Sequence, residues 1–297
     1  MTIACATHFT PTSDDAVHVA ATLARRSGER LILASVLPEI PFFDATDGHL
    51  DGNVAMHLEL EASRLRREGV DVASEVMHGP LDVTVAKLCR FTHARLLVTG
   101  DTSHPQPLFL DGPLDQLVGG VSVPVLVVRS VRPFDHWLRD RVPLRVLLAI
   151  DSSWTSRLAR EWVWQLAEFG PLELTACHVW HPQDELRRRS MAGPLDEKLE
   201  HELMRLVLDE TQSALSPLPD NVKHKVRLEV GHAHVAERLM EVGAQERVDL
   251  LVLGTHRQRS LLGQLTSVTH HVLADALMSV AFIPEQEGRD TRVDLAH

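Results

Sequence analysis

What this 297-residue chain lacks closes off several classes of function. Cysteine is scarce: Cys5, Cys89 and Cys177 are the only three, and no two form a CxxC pair. That excludes a disulfide framework or a cysteine-rich metal site and fits a reducing compartment. Cys5 and Cys177 fall inside predicted strands, where they act as small apolar fillers. Basic charge is also short, with 30 Lys and Arg against 41 Asp and Glu, a formal charge of −11. Such a balance opposes non-specific binding to nucleic acid or anionic membrane. The basic run Arg187-Arg188-Arg189 is brief and has no aromatic residues between its charges, so no nucleic-acid partner is expected. No apolar window is long enough to span a bilayer. The first residues, MTIACATHFT, show no basic segment followed by an apolar one. A soluble chain in the cytoplasm, away from membranes, is expected. Catalytic signatures are missing too. No GK[ST] follows a glycine loop, and no GxSxG elbow occurs. Glu161 and Glu168 read as solvated helix carboxylates, so no enzyme is expected, with slow nucleotide hydrolysis left open.

What is present is an α/β alternation. The length favours two domains, each large enough for its own core. With 44% apolar and 24% charged residues, nothing suggests global disorder. Residues 2–7 form a first predicted strand. Thr12-Ser13-Asp14-Asp15 offers a helix cap, with Ala16, Val19, Ala20, Leu23 and Ala24 following at helical spacing. Further strands are predicted at 30–37, 70–77, 96–99 and 123–128. Helices are predicted at about 54–68 and from Gly79-Pro80 to about 91, and a proline-rich loop after Gly100. Residues 131–143, VRPFDHWLRDRVP, with a proline near each end, are the predicted linker. The pattern then restarts, with strands at 144–150, 172–179, 222–230, 250–253 and 280–283. Between them lie a helix capped by Ser152 or Ser153, a longer one marked by Leu195, Leu199, Leu203, Leu206 and Ala214, and one at 233–242.

The two halves are a repeat. ARLLVTG at 94–100 matches VDLLVLG at 248–254, and VPVLVV at 123–128 plays the part of SVAFI at 279–283. Ser35-Val36 and His178-Val179 lie 143 positions apart, as do His8 and Asp151. At Gly100 and Gly254 the offset has grown to 154. An insertion therefore falls between the second and fourth strands of the second half, and the longer second helix accounts for it. Each half reads βαβαβαβαβ, which implies a parallel sheet with right-handed crossovers. The expected domains are 1–130 and 144–286, with 131–143 as linker and 287–297 as a polar tail.

Residues 248–284 organise the second half. Leu250 begins a short continuous apolar run that reads as a strand buried on both faces. Gly254 ends it, a polar loop follows, and Thr266 or Ser267 can cap a helix whose apolar face is Val268, Val272, Leu273 and Ala276. A strand ending in glycine, a loop and a hydroxyl-capped helix make a natural anion site. The stretch resembles the C-terminal signature of the universal stress protein family, whose pattern is G-x2-G-x9-G-[ST]. Gly254-Thr255-His256 stands as in the family, and Ser267 is kept. Arg257 replaces the second glycine, Thr266 the third, and the loop is one residue shorter.

The resemblance covers nearly the whole chain, twice over. It implies an α/β fold of the adenine nucleotide alpha hydrolase-like type. Two tandem open five-stranded parallel sheets of strand order 3-2-1-4-5 would carry helices on both faces. The halves would pack as an internal pseudo-dimer along their last strands, and a further homodimer is left open. It also implies a non-catalytic stress-response module that binds ATP or a related adenine nucleotide where the strand order reverses.

Carried over position by position, Asp151 matches the family's adenine-contacting aspartate and Val179 its adenine-side valine. Gly254 matches the first loop glycine, and Ser267 and Val268 the residues that hold phosphate through hydroxyl and backbone. Arg257, with Arg259, would meet phosphate with side-chain charge in place of bare amides. In the first half His8 replaces the aspartate and Ser103 the second glycine. Asp111-Gly112-Pro113 stands where Gly-Ser should be, so a proline removes an N–H donor. The first half is therefore expected to be structural. A plainer reading stands beside this one: Gly254 only ends a strand, and Asp151 only caps a helix. On that reading the chain is a non-nucleotide interaction protein whose clefts hold a metal, a lipid-like ligand or a protein partner. Of the 18 histidines, His232 with His234, His270 with His271, and His178 with His181 could gather zinc. None has a standard metal spacing, so surface histidines and no metal are expected.

Overall fold

The computed structural model describes residues 1–37, 48–101, 114–191, 195–231, 234–255 and 267–285. The first half runs β1 (Thr2–Ala6), α1 (Pro11–Ser27), β2 (Arg30–Leu37), α2 (Gly48–Arg67), β3 (Val72–His78), α3 (Leu81–Phe91), β4 (Ala94–Gly100), α4 (Leu114–Gly120) and β5 (Val125–Val128). After α5 (Arg132–Asp140) come β6 (Leu144–Ala149), α6 (Trp154–Ala167), β7 (Leu172–Trp180), α7 (Pro182–Arg188), α8 (Glu197–Ala214) and β8 (Val222–Val230). The chain continues with α9 (Val235–Gln245), β9 (Leu250–Thr255), α10 (Ser267–Asp275) and β10 (Ser279–Pro284). Among the described residues no helix is long and apolar enough to cross a membrane.

The first helix of each half begins in the same way. The Thr10 hydroxyl accepts from Ser13 N at 3.3 Å, and Ser13 Oγ accepts from Thr10 N at 2.8 Å, a capping box with Pro11 at the first helical position. The cap thus falls two residues before the expected Thr12. In the second half Ser153, one of the two expected caps, accepts from Ser156 N at 3.2 Å. These contacts lie 143 positions apart, so the repeat extends to single hydrogen bonds.

Each half has the strand order 3-2-1-4-5, but the halves do not form two separate sheets. They make one ten-stranded sheet, β3-β2-β1-β4-β5-β10-β9-β6-β7-β8. Within each half the pairings are parallel; β5 and β10 meet antiparallel, Val280 opposite Val127 and Phe282 opposite Val125. The reason is chemical. A five-stranded sheet ending at β5 or β10 leaves a row of backbone N–H and C=O groups on a fully buried apolar strand. Pairing the two equivalent edges satisfies both, and a two-fold relation between halves makes them run antiparallel.

Alternate residues of each strand feed opposite faces. Ile3 and Cys5 join α1, α2, α5 and α6 in one apolar cluster, while Ala4 and Ala6 join α3, α4, α9 and α10 in another. Both clusters run through both halves, so the core does not divide where the repeat does. The expected linker carries α5, which buries Phe134, Trp137 and Leu138. The helix is pinned to the first half by a 2.8 Å contact of Asp135 with His18 and by Arg26, which donates to the Leu138 carbonyl. It is pinned to the second half by Arg141, which donates to the Phe169 carbonyl at 3.0 Å. Gly170 leaves room for the indole, since a Cβ there would lie 2.6 Å from Trp137 Nε1. Two further corrections concern short helices. α4 occupies part of the expected proline-rich loop, and the insertion in the second half consists of α7 and α8, not of one longer helix.

Candidate functional site

At the carboxyl ends of β6, β7 and β9 the structure holds a cavity of about 290 Å³. Asp151, Val179, Gly254 and Val268, drawn from four separate stretches of sequence, all line it. This is the place where the strand order reverses, the usual ligand crevice of an open α/β sheet. Arg257, Arg259 and Thr266 lie outside the described residues, as does the side chain of Ser267, the first residue of α10.

Asp151 follows β6, and its backbone N donates to Ser156 Oγ at 3.0 Å. Its Oδ1 accepts from Ser153 N at 2.8 Å. The carboxylate therefore braces the turn into α6, as the plainer reading expects, and also faces the cavity. Gly254 has a packing role of its own. A Cβ there would sit 2.5 Å from the carbonyl carbon of Thr155. Gly100 stands in the same relation to Thr12, where a Cβ would lie 2.5 Å from the carbonyl oxygen. Because both halves share this approach, glycine at these two positions is required by packing whatever the ligand.

Two residues, one packed behind the wall and one on it, escaped the sequence reading. Gly231, just after β8, lies so close to Val179 that a Cβ would come within 2.5 Å of its Cγ1. A glycine immediately after a strand was the available signal. Thr269 lines the cavity one residue beyond Val268 and is buried; as a polar residue on the inner face of a helix it gave no apolar signal. Cys177 is also on the wall, and burial pushes its thiol up to about 12. Burial raises Cys89 to about 12 as well, and raises Cys5 above the ordinary range. None of the three is a thiolate at neutral pH.

Among the described residues the corresponding cleft of the first half is nearly closed. Its free volume is about 10 Å³, between Thr7, His8, Val36, Leu81, Thr99 and Leu117. That is room for about one water. The helix facing Val36 begins with Leu81, whereas the helix facing Val179 begins with the smaller Val235. His8 is turned to local use, its Nε2 lying 3.1 Å from Thr10 Oγ1, and burial lowers its pKa. Ser103 and Asp111-Gly112-Pro113 lie outside the described residues.

The histidines are dispersed. His270 meets Asp115 across the two halves at 3.1 Å, His178 meets Thr211 at 3.1 Å, and His232 lies outside the described residues. Among the described residues no three His, Cys, Asp or Glu side chains gather closely enough to hold a metal ion.

Comparison with known proteins places this geometry. The family model described as the universal stress protein family matches residues 1–129 and 144–284. A universal stress protein from Archaeoglobus fulgidus DSM 4304 superposes with a TM-score of 0.67 at 14% identity, covering 96% of this chain and 97% of that one. A Pseudomonas aeruginosa UCBPP-PA14 protein described as a universal stress protein gives 0.59 at 15% identity, covering 95% and 92%. A functionally unknown protein from Pseudomonas aeruginosa PAO1 gives 0.59 at 16% identity, again covering 95% and 92%. At these identities the likeness is one of fold. No curated protein matches the chain.

Proposed function

For this chain, which belongs to the universal stress protein family with two of its domains in tandem, we propose a non-catalytic binding module that takes one adenine nucleotide, in its second half. The domains are 1–130 and 144–286, and the module acts in the cytoplasm. The observation that carries the reading is the contrast between the clefts, about 290 Å³ in the second half and about 10 Å³ in the first. The second also keeps Asp151 where the first has His8. Adenine lies between Val179 and Leu239, with its amine toward the Asp151 carboxylate. The phosphates lie at the N-terminus of α10, where the helix dipole favours anions.

Titration calorimetry with ATP tests this. One site per chain is expected. Loss of a hydrogen bond to a charged group costs about 1.5–3 kcal/mol, so Asp151→Ala and Ser267→Ala are each expected to weaken binding at least tenfold. Two equal sites, or one site untouched by both substitutions, refute the assignment. No binding at all favours the interaction-protein reading.

A further inference from the structure

The insertion that sets the second half apart builds another cavity, on the opposite face of the sheet. In the first half α2 lays Leu58, Ala62 and Leu65 into the same apolar cluster as α1. In the second half the middle of α8 does not reach the α6 cluster. Leu203 and Val207 instead close a small separate cluster with Trp180 of β7 and Leu186 of α7. Between the two clusters lies a space of about 670 Å³, walled by α6, α7, α8 and the end of β7. That volume is within the usual range for small-molecule sites. Successive residues of β7 serve the two faces: His178 lines this cavity, and Cys177 and Val179 line the other.

The lining has a definite polarity. Arg157 and Arg160, three apart on α6, lie on one side of the helix. Arg157 has no ion pair among the described residues. Arg160 donates to the Ala214 carbonyl, has its nearest carboxylate, Glu161, 3.9 Å away, and keeps a buried Nε without a partner. The carboxylates of the wall are mostly engaged. Glu185 and Glu210 are each held by Arg188 and Arg189 at 2.7 to 3.2 Å, and Asp151 braces its own turn; Asp209 is exposed.

His178 adds an acceptor. The Thr211 hydroxyl donates its single proton to the Val207 carbonyl at 2.7 Å. Its 3.1 Å contact with His178 Nδ1 therefore requires the imidazole to donate. Burial lowers the ring's pKa, so the neutral ring carries a lone pair on Nε2. That atom has no partner among the described residues.

We infer that this cavity binds a small hydroxylated organic anion of sugar-phosphate chemistry, its anionic group between Arg157 and Arg160 and a hydroxyl donating to His178 Nε2. Among the described residues the two cavities share only Ile150, Asp151 and Ser156, and this inference stands whether or not the Val179 cleft takes a nucleotide.

The test is calorimetric titration of the full chain with ribose 5-phosphate, and with ribose in parallel, alongside imidazole nitrogen NMR. Ribose 5-phosphate is expected to bind and to shift the His178 Nε2 signal, with ribose at least tenfold weaker. Arg157→Ser and His178→Phe are each expected to weaken the phosphate ester at least tenfold. The absence of both heat and His178 shift up to about 10 mM ribose 5-phosphate overturns the inference. Binding that survives both substitutions overturns it equally. The wild-type NMR signal keeps the test decisive should the His178 variant fail to fold.

Discussion

The paired glycines give the most discriminating test of which residues serve the fold and which the ligand. Alanine at Gly254 would place its Cβ 2.5 Å from Thr155 C and 2.6 Å from Thr155 O. At Gly100 the same change meets Thr12 O at 2.5 Å and Thr12 C at 2.6 Å. Ordinary contacts begin near 3.4 Å, so strand and helix must part by about 0.9 Å, the difference between 3.4 and 2.5. The neighbour is backbone in both cases and cannot rotate away. Each is the first turn of a helix pinned by its cap, Ser153 to Ser156 or Thr10 to Ser13. Overpacking of this kind costs about 1–3 kcal/mol. In domains of about this size each kcal/mol lowers Tm by about 2–4 °C, so each variant is expected to melt roughly 2–12 °C early. Urea denaturation should give similar losses for Gly100→Ala and Gly254→Ala, although only one borders an open cleft. Gly120→Ala is the control. Its Cβ would meet nothing nearer than 3.6 Å, and no loss of stability is expected. If Gly254→Ala melts like the wild type yet loses nucleotide affinity, the glycine serves the ligand alone. If both variants melt like the wild type, the close-approach argument is wrong.

Two other outcomes follow from the core and from buried imidazoles. Trp137→Ala, at a fully buried site in the cluster shared by both halves, is expected to cost about 3–5 kcal/mol. Wild type and variant should each unfold in one transition, coincident by far-UV circular dichroism and tryptophan fluorescence; two separated transitions would refute the shared core. Burial lowers the pKa of His8 and His178 below 6.5 in the folded chain. The unfolded chain therefore takes up their protons first, and stability should fall as pH drops from about 6.5 through the lower folded values. His8→Gln with His178→Gln should flatten that acid slope in denaturant titrations, and an unchanged slope would show that these rings do not set it.

Much of the architecture was legible because the strands are short continuous apolar runs that recur at offsets of 143 and 154. Asp151, Val179, Gly254 and Val268 converge on one cavity because they occupy strand ends and a helix start in a known topology. The errors have local causes. Pro133 was read as a break, yet proline is favoured in a helix's first turn, and Phe134, Trp137 and Leu138 already had helical spacing. α7 carried its signals too, with Pro182 first, Asp184 and Glu185 in the opening turn and Arg187 and Arg188 at the close. Packing along the last strands, β5 and β10, was expected from the family resemblance alone, because an apolar run records that a strand is covered and not which strand lies beside it. That the packing is a continuous sheet was not foreseen. The large cavity beneath α8 was equally hidden, since Leu203 and Leu206 fit a packed helix as well as a displaced one.

The antiparallel seam between β5 and β10 also changes what abundance means for this molecule. Two separate five-stranded units joined along that edge would part on dilution. Here 131–143 joins the two edges within one chain, and α5 packs into the core that both halves share, so their meeting does not depend on concentration. Leu81 and Leu117 can fill one cleft while the other stays open. The first half is in that sense a permanent edge partner of the second, through residues 125–127 set opposite β10.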